Sequence, residues 1–520
     1  MSLAVVYSRA SLGTSAPLVT VEVHLSNGLP SFSIVGLAET AVKESRDRVR
    51  SALKNSGFDF PTRRITVGLA PADLPKRGGR FDLPIALGIL VAAGQLSLEA
   101  LQDIEFLAEL GLGGELRPVD TILSAAVAAT TMGHAIALAP DDVVEASRVR
   151  TARLLPAVNL SALVDQLTGV KPLNWTFEQP VFREAAESDL SGIKGQAVGL
   201  RGLEVAAAGG HGLIMMGPPG CGKSILAAHL PGLLPAMSHE EALETAMVYS
   251  LTGHTRMDDC FLQRPFRAPH HSATAVALIG GGNHPQPGEI SLAHNGVLFL
   301  DELTEFPRSV LEQLREPLES GGIVIARGGH ALRFPCRFQL VAAMNPCPCG
   351  YYGDRTRECY CTPAQLQRYR ARLSGPLLDR IDLQVMVSRV TAADLTRGHT
   401  EVMNGGEVAK RIRDAHQLQF ARSGMLNAHL TGVELNRVCV LDDDAARILN
   451  KGIDTFSLSA RAYHHVLRIS RTLADLENET DISRPRITEA LAYRMMDHRP
   501  KVPGELLPNP LRTTPARAFR

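Results

Sequence analysis

Residues 217–224 read Gly-Pro-Pro-Gly-Cys-Gly-Lys-Ser, a complete G-x-x-x-x-G-K-[ST] sequence. The apolar run 213–216 before it has the length of a strand, and residues 225–230 after it are typical of a helix. This motif requires such a setting of strand, glycine turn and helix. The glycines allow backbone N–H groups to approach phosphate oxygens, and the helix N-terminus adds partial positive charge. The stretch therefore predicts an α/β fold that binds a nucleoside triphosphate.

Each position of the loop has a predicted part in binding ATP. Lys223 is expected to reach the β- and γ-phosphates, and the Ser224 hydroxyl is expected to ligate Mg²⁺. The residues expected to surround the phosphates are Gly217, Pro218, Pro219, Gly220, Cys221, Gly222, Lys223 and Ser224.

A second apolar strand ends in two carboxylates. Residues 296–300 read Gly-Val-Leu-Phe-Leu and are followed by Asp301 and Glu302. In open α/β sheets, ligands bind at the carboxyl ends of the strands, so these side chains should meet the phosphate loop. We expect Asp301 to hold Mg²⁺ and Glu302 to activate the attacking water as general base. A buried strand that merely reaches the surface at acidic residues is the alternative, and the complete phosphate loop disfavours it.

The composition is that of an ordinary globular protein. The 520 residues suggest about three domains. The 54 basic and 54 acidic residues cancel, so any nucleic-acid binding must come from local patches. Residues 1–6 lack the basic start of a signal peptide, and no apolar run of about 18 residues occurs, so a cytoplasmic protein without membrane contact is expected.

The N-terminal 170 residues alternate strand and helix patterns. Residues 19–25 and 64–69 are typical of strands, and residues 39–56 are typical of a helix. At 76–90 a basic glycine turn runs into an apolar helix. We therefore predict an α+β domain over residues 1–170, followed by a linker at 171–191 that contains two prolines and acidic residues without clear periodicity.

Four of the eight cysteines are crowded into one short stretch. They form two C-x-C pairs, Cys347 with Cys349 and Cys359 with Cys361. Four thiolates can close a tetrahedral Zn²⁺ site, so a zinc-binding loop over 345–362 is predicted. Four reduced thiols on a flexible loop are the alternative.

Two stretches resemble the ComM/YifB family of Mg-chelatase-like AAA+ ATPases. They are residues 266–272 (Phe-Arg-Ala-Pro-His-His-Ser) and 343–350 (Ala-Met-Asn-Pro-Cys-Pro-Cys-Gly), and the likeness extends over about residues 19–500. The resemblance implies an AAA+ α/β ATPase core at 192–390, a helical C-terminal lid at 391–500 and a Lon-protease-like N-terminal domain. Residues 501–520 are expected to be disordered.

The resemblance also implies roles for single residues. Asn345, at the end of an apolar strand, resembles sensor 1, which orients the attacking water. Arg380 resembles the arginine finger that reaches a neighbouring subunit's nucleotide, and Arg372 is its rival. Arg461 resembles sensor 2 of the lid and is expected to touch the γ-phosphate, with Arg468 as the alternative.

Residues 321–334 predict a β-hairpin that turns at the glycines 328–329. In related AAA+ helicases a hairpin at this position points into a central pore. The residues expected to contact DNA phosphates are Arg327, His330 and Arg333, with a second contact from Arg267, His270 and His271. A solvated hairpin with ordinary charges is the alternative.

Together these features predict an ATP-hydrolysing ring, and the family resemblance implies a hexameric motor that acts on single-stranded and branched DNA. The family resemblance implies a branch-migration helicase in homologous recombination during natural transformation. The alternatives are a chelatase-like ATPase that remodels a protein partner, an ATP-dependent protease and a nucleotide-binding scaffold. Proteolysis is disfavoured because residues 82–85, where Lon proteases carry the nucleophilic serine, contain no hydroxyl. The N-terminal domain carries basic residues that suit phosphate contacts, with a solvated charged face as the alternative: Arg63, Arg64, Lys76, Arg77 and Arg80.

Overall fold

The structure is a computed structural model of the chain. It describes residues 3–36, 39–173, 175, 189–190, 192–253, 260–282, 285–327, 330–354, 356–390, 404–456 and 458–494. The predicted disordered tail (501–520) and most of the predicted linker (171–191) lie outside these residues. None of the helices within the described ranges is long and apolar enough to cross a membrane.

The N-terminal part contains a mixed sheet with helices on it. Its strands are β1 (Leu3–Arg9), β2 (Leu18–Ser26), β3 (Ser31–Val35), β4 (Arg64–Ala70), β5 (Ile104–Leu107), β6 (Glu109–Leu110), β7 (Leu116–Arg117), β8 (Ala135–Leu138) and β9 (Leu154–Pro156). Its helices are α1 (Thr40–Asn55), α2 (Asp82–Ala92), α3 (Ile122–Thr131), α4 (Val143–Ala146) and α5 (Leu160–Leu167). Seven strands pair in the order β3-β4-β2-β1-β5-β8-β9. Strand β2 is antiparallel to β1 and β4, and the other pairs are parallel. The predicted mixture of strands and helices is present, and its likeness to the Lon protease domain stays a prediction.

Helix α2 is buried along its whole length, as expected of a helix that is apolar all round. Lys76 and Arg80 of the basic turn before it are also buried, which corrects the expectation that they contact phosphate. The Lys76 ammonium donates to the Pro71 carbonyl, and the Arg80 guanidinium donates to the Asp120 carbonyl at 2.6 Å. Burial lowers the pKa of Arg80 to about 10. Both cations fix the local fold, because their hydrogen bonds point into the domain.

The central part contains the phosphate loop. Its strands are β10 (Leu213–Met216), β11 (Phe266–Arg267), β12 (Gly280–Gly281), β13 (Gln286–Pro287), β14 (Val297–Leu300), β15 (Gly322–Arg327), β16 (His330–Pro335), β17 (Gln339–Met344) and β18 (Leu383–Met386). Its helices are α6 (Ala197–Gly209), α7 (Lys223–Leu233), α8 (His239–Ser250), α9 (Ala275–Ile279), α10 (Glu289–Leu292), α11 (Arg308–Glu312), α12 (Arg315–Ser320), α13 (Pro363–Arg370) and α14 (Gly375–Leu378).

Five of these strands form a wholly parallel sheet in the order β11-β14-β17-β10-β18. Strand β10 lies between β17 and β18, so the phosphate loop follows an interior strand of the sheet. Because parallel strands point the same way, the residues that follow β10, β14 and β17 meet at one edge. We call this edge, where the phosphate loop lies, the carboxyl edge, and the opposite one the amino edge.

Helices make up the described C-terminal part. They are α15 (Gly405–Ser423), α16 (Gly432–Val438), α17 (Asp443–Phe456), α18 (Ala460–Leu476) and α19 (Arg484–Ala492). Leu203 and Leu226 of the central part share one buried cluster with Ile412 and Val466 of these helices. The predicted change to helical structure after the sheet is therefore present, and the helices share a core with the sheet.

The N-terminal and central parts are joined through a second shared core. Ile122 and Ala125 of α3 lie in one buried cluster with Ala242 and Ala246 of α8. Phe261 completes this cluster, and the Arg148 guanidinium lies 5.3 Å from its ring centroid. The two parts therefore have continuous apolar packing between them.

A buried carboxylate ties the amino edge to helix α18. The Asp382 carboxylate pairs with His211 at 3.0 Å and with His465, and His211 also contacts the Thr472 hydroxyl at 2.8 Å. Burial opposes ionisation of Asp382, but the hydrogen bonds from the two histidines outweigh it, so its pKa lies well below the ordinary value. Asp382 is therefore ionised in the folded protein, and it stabilises the contact between the sheet and α18.

Replacing Asp382 by Asn should lower the free energy of unfolding by about 3 kcal/mol, because a buried charged partner is removed. A carboxylate with a depressed pKa stabilises the fold above its unfolded pKa of about 3.9, and that stability is lost as the pH falls below it. Urea midpoints measured from pH 7 to pH 3 should therefore fall more steeply for the wild type than for Asp382→Asn. Asp414→Asn, on the exposed face of α15, is the control. Equal midpoints at pH 7 would contradict a structural role for Asp382.

Candidate functional site

The loop between β10 and α7 has the backbone that phosphate binding requires. Gly220 and Gly222 have φ values of 73° and 88°, which non-glycine residues rarely adopt. A Cβ atom added at either glycine would meet nothing within 4 Å, so the loop backbone remains accessible on that side. Helix α7 begins at Lys223, directly after these glycines, and its N-terminus faces the loop. The predicted setting of strand, loop and helix is present.

The Lys223 side chain joins the loop to the neighbouring strand. Its ammonium donates to the carbonyls of Gly217 and Pro218 at 2.8 and 3.0 Å, and to the Asn345 side-chain oxygen at 3.3 Å. Asn345 follows β17, which pairs with β10 along its whole length. The predicted sensor residue therefore lies beside the predicted phosphate-binding lysine.

The two predicted Mg²⁺ ligands are in direct contact. The Ser224 hydroxyl donates to the Asp301 carboxylate at 2.5 Å, although 77 residues separate them. A hydroxyl and a carboxylate at the phosphate loop are the oxygen donors that Mg²⁺ prefers beside phosphates. The second Asp301 oxygen accepts the backbone N–H of Glu302 at 2.8 Å, which fixes the carboxylate toward the loop. The residues present therefore fit a magnesium ion.

Glu302 has a left-handed backbone, with φ 50° and ψ 46°. Backbone strain of this kind costs on the order of 1–3 kcal/mol and is concentrated at functional sites. The side chain is half exposed. It lines a cavity of about 370 Å³ together with the loop, Asp301 and Asn345. The predicted general base therefore reaches the same cavity as the predicted phosphate ligands.

One contact in the site was not foreseen from the sequence. His271 Nδ1 lies 3.1 Å from the Glu302 carboxylate, and its ring lies 4.0 Å from that of His270. Both histidines had been predicted to contact DNA. Their position follows from the sheet order, because they come after β11, which pairs with β14. No spacing in the sequence links residues 271 and 302, so only the tertiary structure reveals this pair.

Arg380 lies at the amino edge of the sheet. The Arg380 carbonyl lies 3.4 Å from the position of a Cβ added to Gly212, directly before β10. The phosphate loop leaves the other end of β10, about 13 Å away at a rise of 3.3 Å per residue. The Arg380 guanidinium pairs with Glu319, at the end of α12. Its rival Arg372 pairs with Glu305 at 3.1 Å, close to Glu302.

Arg461 also lies near the amino edge. Its guanidinium is 3.8 Å from Glu319 and 4.0 Å from Asp379, and half of its side chain is exposed. Arg461 was predicted to touch the γ-phosphate, but it does not line the cavity at the phosphate loop of its own chain. The reason is that α18 begins beside the amino edge. The alternative, Arg468, donates to the Leu430 carbonyl at 2.8 Å.

The predicted hairpin is formed by β15 and β16. Its antiparallel register pairs Gly322 with Pro335 and Arg327 with His330, on either side of the glycines 328–329 where the turn was predicted. Residues 328–329 and the side chains of Arg327 and His330 lie outside what the structure describes. Arg333 is exposed and lies opposite Val324, on the face of the hairpin that points away from the core.

Arg267 does not share the exposure of Arg333. Its guanidinium makes two hydrogen bonds, of 2.6 and 2.7 Å, to the Glu289 carboxylate. Arg267 and His271 thus both have an acidic partner within the chain.

The four predicted zinc ligands come together. Their sulfur atoms all lie within 4.8 Å of one another. Cys347 Sγ is 3.3 Å from Cys349 Sγ and 3.7 Å from Cys359 Sγ, and all four thiols are free. The cluster follows Asn345 at the carboxyl edge, beside the phosphate loop.

Three family profiles match the chain. "Magnesium chelatase, subunit ChlI" matches residues 189–395, "Subunit ChlI of Mg-chelatase" matches residues 21–142, and "Magnesium chelatase, subunit ChlI C-terminal" matches residues 403–494. Together the profiles account for most of the chain.

Curated relatives match over nearly the full length. Competence protein ComM of Haemophilus influenzae is 50% identical over 504 residues, which are 95% of this chain and 98% of that protein. YifB of Salmonella typhimurium is 47% identical over 498 residues, 96% of this chain and 98% of that protein. The magnesium-chelatase 38 kDa subunit of Rhodobacter capsulatus is more distant, at 26% over 306 residues, 55% of this chain and 80% of the subunit.

Proposed function

Because the chain belongs to the ComM/YifB family of Mg-chelatase-like AAA+ ATPases, we propose that it is a DNA motor that drives branch migration during competence-related recombination. Membership of this family implies the use of ATP and Mg²⁺. The work on DNA, the hexameric ring and natural transformation are parts of the proposal.

ATP hydrolysis is supported by the groups at the carboxyl edge. The phosphate loop would hold the triphosphate, and Ser224 with Asp301 would hold Mg²⁺, which supplies positive charge to the phosphate oxygens. Glu302 would take the proton of the attacking water, and Asn345 would orient that water. His271 would orient the Glu302 carboxylate through their 3.1 Å contact.

The position of Arg380 is the observation that carries the motor hypothesis. An arginine finger is needed for fast hydrolysis, yet Arg380 lies at the opposite edge of the sheet from its own phosphate loop. Arg461 lies beside it on the shared partner Glu319. A complete site then requires that the amino edge of one subunit face the carboxyl edge of the next. Repetition of this head-to-tail contact closes a ring, for which we propose six subunits.

The hairpin supports DNA as the substrate of this ring. Ile323, Ile325 and Phe334 anchor it in the core of the central part, so its inward face is fixed. Six residues per strand make the hairpin about 20 Å long. Arg333 lies on the outward face, and Arg327 is the last residue of β15. Arginines at these positions would bind phosphates without reading bases, which suits a motor that must move along any sequence.

Replacing Arg327 and Arg333 together by Ala should preserve basal ATPase activity and abolish its stimulation by DNA. Each lost phosphate contact should also make the logarithm of the DNA-binding constant less dependent on the logarithm of the salt concentration, by about 1 in the magnitude of the slope. ATPase rates with and without Holliday-junction DNA, binding from 50 to 200 mM salt and strand-exchange assays measure these effects.

The matched control is Arg437→Ala with Arg447→Ala, which removes two exposed charges from the C-terminal helices. The control protein should bind and move branched DNA like the wild type. If assembled, ATPase-active wild type neither binds nor moves branched DNA, the DNA hypothesis is wrong. Remodelling of a protein partner, as a chelatase-like ATPase would do, then becomes the better explanation.

A further inference from the structure

We propose that one structural Zn²⁺ is bound by Cys347, Cys349, Cys359 and Cys361. This metal site would hold the phosphate loop and Asn345 in position. Such a metal site would set the stability and geometry of the nucleotide site, whatever the substrate on which the motor acts.

The spacing of the sulfur atoms suits zinc. With Zn–S bonds of about 2.3 Å, the edges of a tetrahedral site are about 3.8 Å long. The distances from Cys347 and Cys349 to Cys359 are 3.7 and 3.6 Å. A disulfide needs about 2.05 Å between its sulfur atoms, and the four thiols are free. All four ligands are protein thiolates, as in a closed structural site without an open catalytic position.

The surrounding loop supplies groups that favour thiolates. The backbone N–H of Tyr352 donates to Cys347 Sγ at 3.3 Å. Four thiolates and one Zn²⁺ leave two negative charges, and two arginines pack on the Tyr351 ring of the same loop. The Arg357 and Arg389 guanidinium groups lie 5.2 and 5.4 Å from the ring centroid. Arg389 follows β18, so this contact also connects the loop to the last strand in the sheet order.

The loop that carries the four cysteines, residues 345–362, packs directly against the phosphate loop. Gly350 lies between the two C-x-C pairs with φ 85°, and a Cβ added there would come within 2.7 Å of Pro219 Cδ. Cys347 is fully buried and stands two residues after Asn345. The backbone N–H of Gly217 donates to the Met344 carbonyl at 3.2 Å. A metal that fixes Cys347 and Cys349 would therefore fix one wall of the ATP cavity.

Metal content of full-length protein purified without a metal-affinity tag tests the first half of the proposal. We expect about one Zn²⁺ per chain by elemental analysis, and at least about a tenfold loss of zinc affinity in Cys359→Ser. Cys260→Ser, an exposed cysteine outside the cluster, should keep its zinc. Absence of stoichiometric zinc from the wild type, or two disulfides within the cluster by mass spectrometry, would overturn the site.

Gly350→Ala tests the second half separately. This variant should keep its zinc, because all four ligands remain, and should bind a fluorescent ATP analogue at least tenfold more weakly, because the added methyl group displaces Pro219. Cys359→Ser should show the same weakening. Circular dichroism and gel filtration identify any variant that has merely unfolded. Normal nucleotide affinity in a folded, zinc-free Cys359→Ser protein would show that zinc does not hold the phosphate loop in position, whatever the outcome of the DNA assays.

Discussion

ATP turnover should fall at least about 100-fold when Glu302 is replaced by Gln, while ATP binding is retained. Glutamine keeps the size of the side chain but cannot accept the proton of the attacking water. The contacts that would hold the nucleotide involve other residues, namely Lys223 at the phosphate loop and the Ser224–Asp301 pair. Phosphate release under saturating ATP, together with equilibrium binding of a fluorescent nucleotide, separates the two steps.

Two variants serve as controls for Glu302→Gln. Lys223→Ala should lose binding, because it removes the cation that is expected to reach the β- and γ-phosphates. Glu240→Gln, on the exposed face of α8, should leave both binding and turnover unchanged. If Glu302→Gln retains most of its turnover, the assignment of Glu302 as general base is wrong.

Replacement of Arg380 by Ala should lower turnover about 1,000-fold, the lower end of the effect of an arginine finger. Activity should return in part when this variant is mixed with Lys223→Ala, which is itself inactive. Each variant lacks a different half of the site. An intact phosphate loop of the first can therefore meet an intact Arg380 of the second only at a contact between subunits. Turnover is measured across a series of mixing ratios, with mixed assembly verified by native mass spectrometry.

The same mixing experiment with Arg372→Ala distinguishes the two arginine candidates. Arg372 contacts the Thr304 carbonyl and the Glu305 carboxylate of its own chain, so its loss should not be restored by a neighbour. Verified mixed assemblies of Arg380→Ala and Lys223→Ala that show no recovery would contradict a finger supplied by the adjacent subunit.

The phosphate site could be predicted from sequence because its determinants are local. The loop, the helix start and the carboxylates that follow a strand each lie within a few residues, and parallel strands bring them to one edge. Helix boundaries were predicted less exactly. The helix after the phosphate loop was predicted over residues 225–230, whereas α7 spans Lys223–Leu233. It continues through Pro231, a residue type that usually ends a helix, because tertiary packing can override such a local preference.

Contacts between distant elements could not be predicted. Arg80 was considered as a phosphate contact, but tertiary packing buries it against the Asp120 carbonyl. His271 was assigned to DNA, although the neighbouring strands bring it to Glu302. Arg461 was assigned to the γ-phosphate without regard to which subunit holds it. In each case the residue type was informative, and the partner depended on packing that no short pattern records.

The apolar cluster between α3 and α8 affects how deletion experiments on this protein should be interpreted. A shortened chain starting at residue 192 would uncover Ala242, Ala246 and Phe261, which the N-terminal part now covers. Exposed apolar surface of this kind promotes aggregation. Loss of activity after such a truncation would then reflect an unstable fragment and would not by itself assign a role to the removed domain. Polar substitutions on the outer surface of the intact N-terminal domain are the sounder genetic approach.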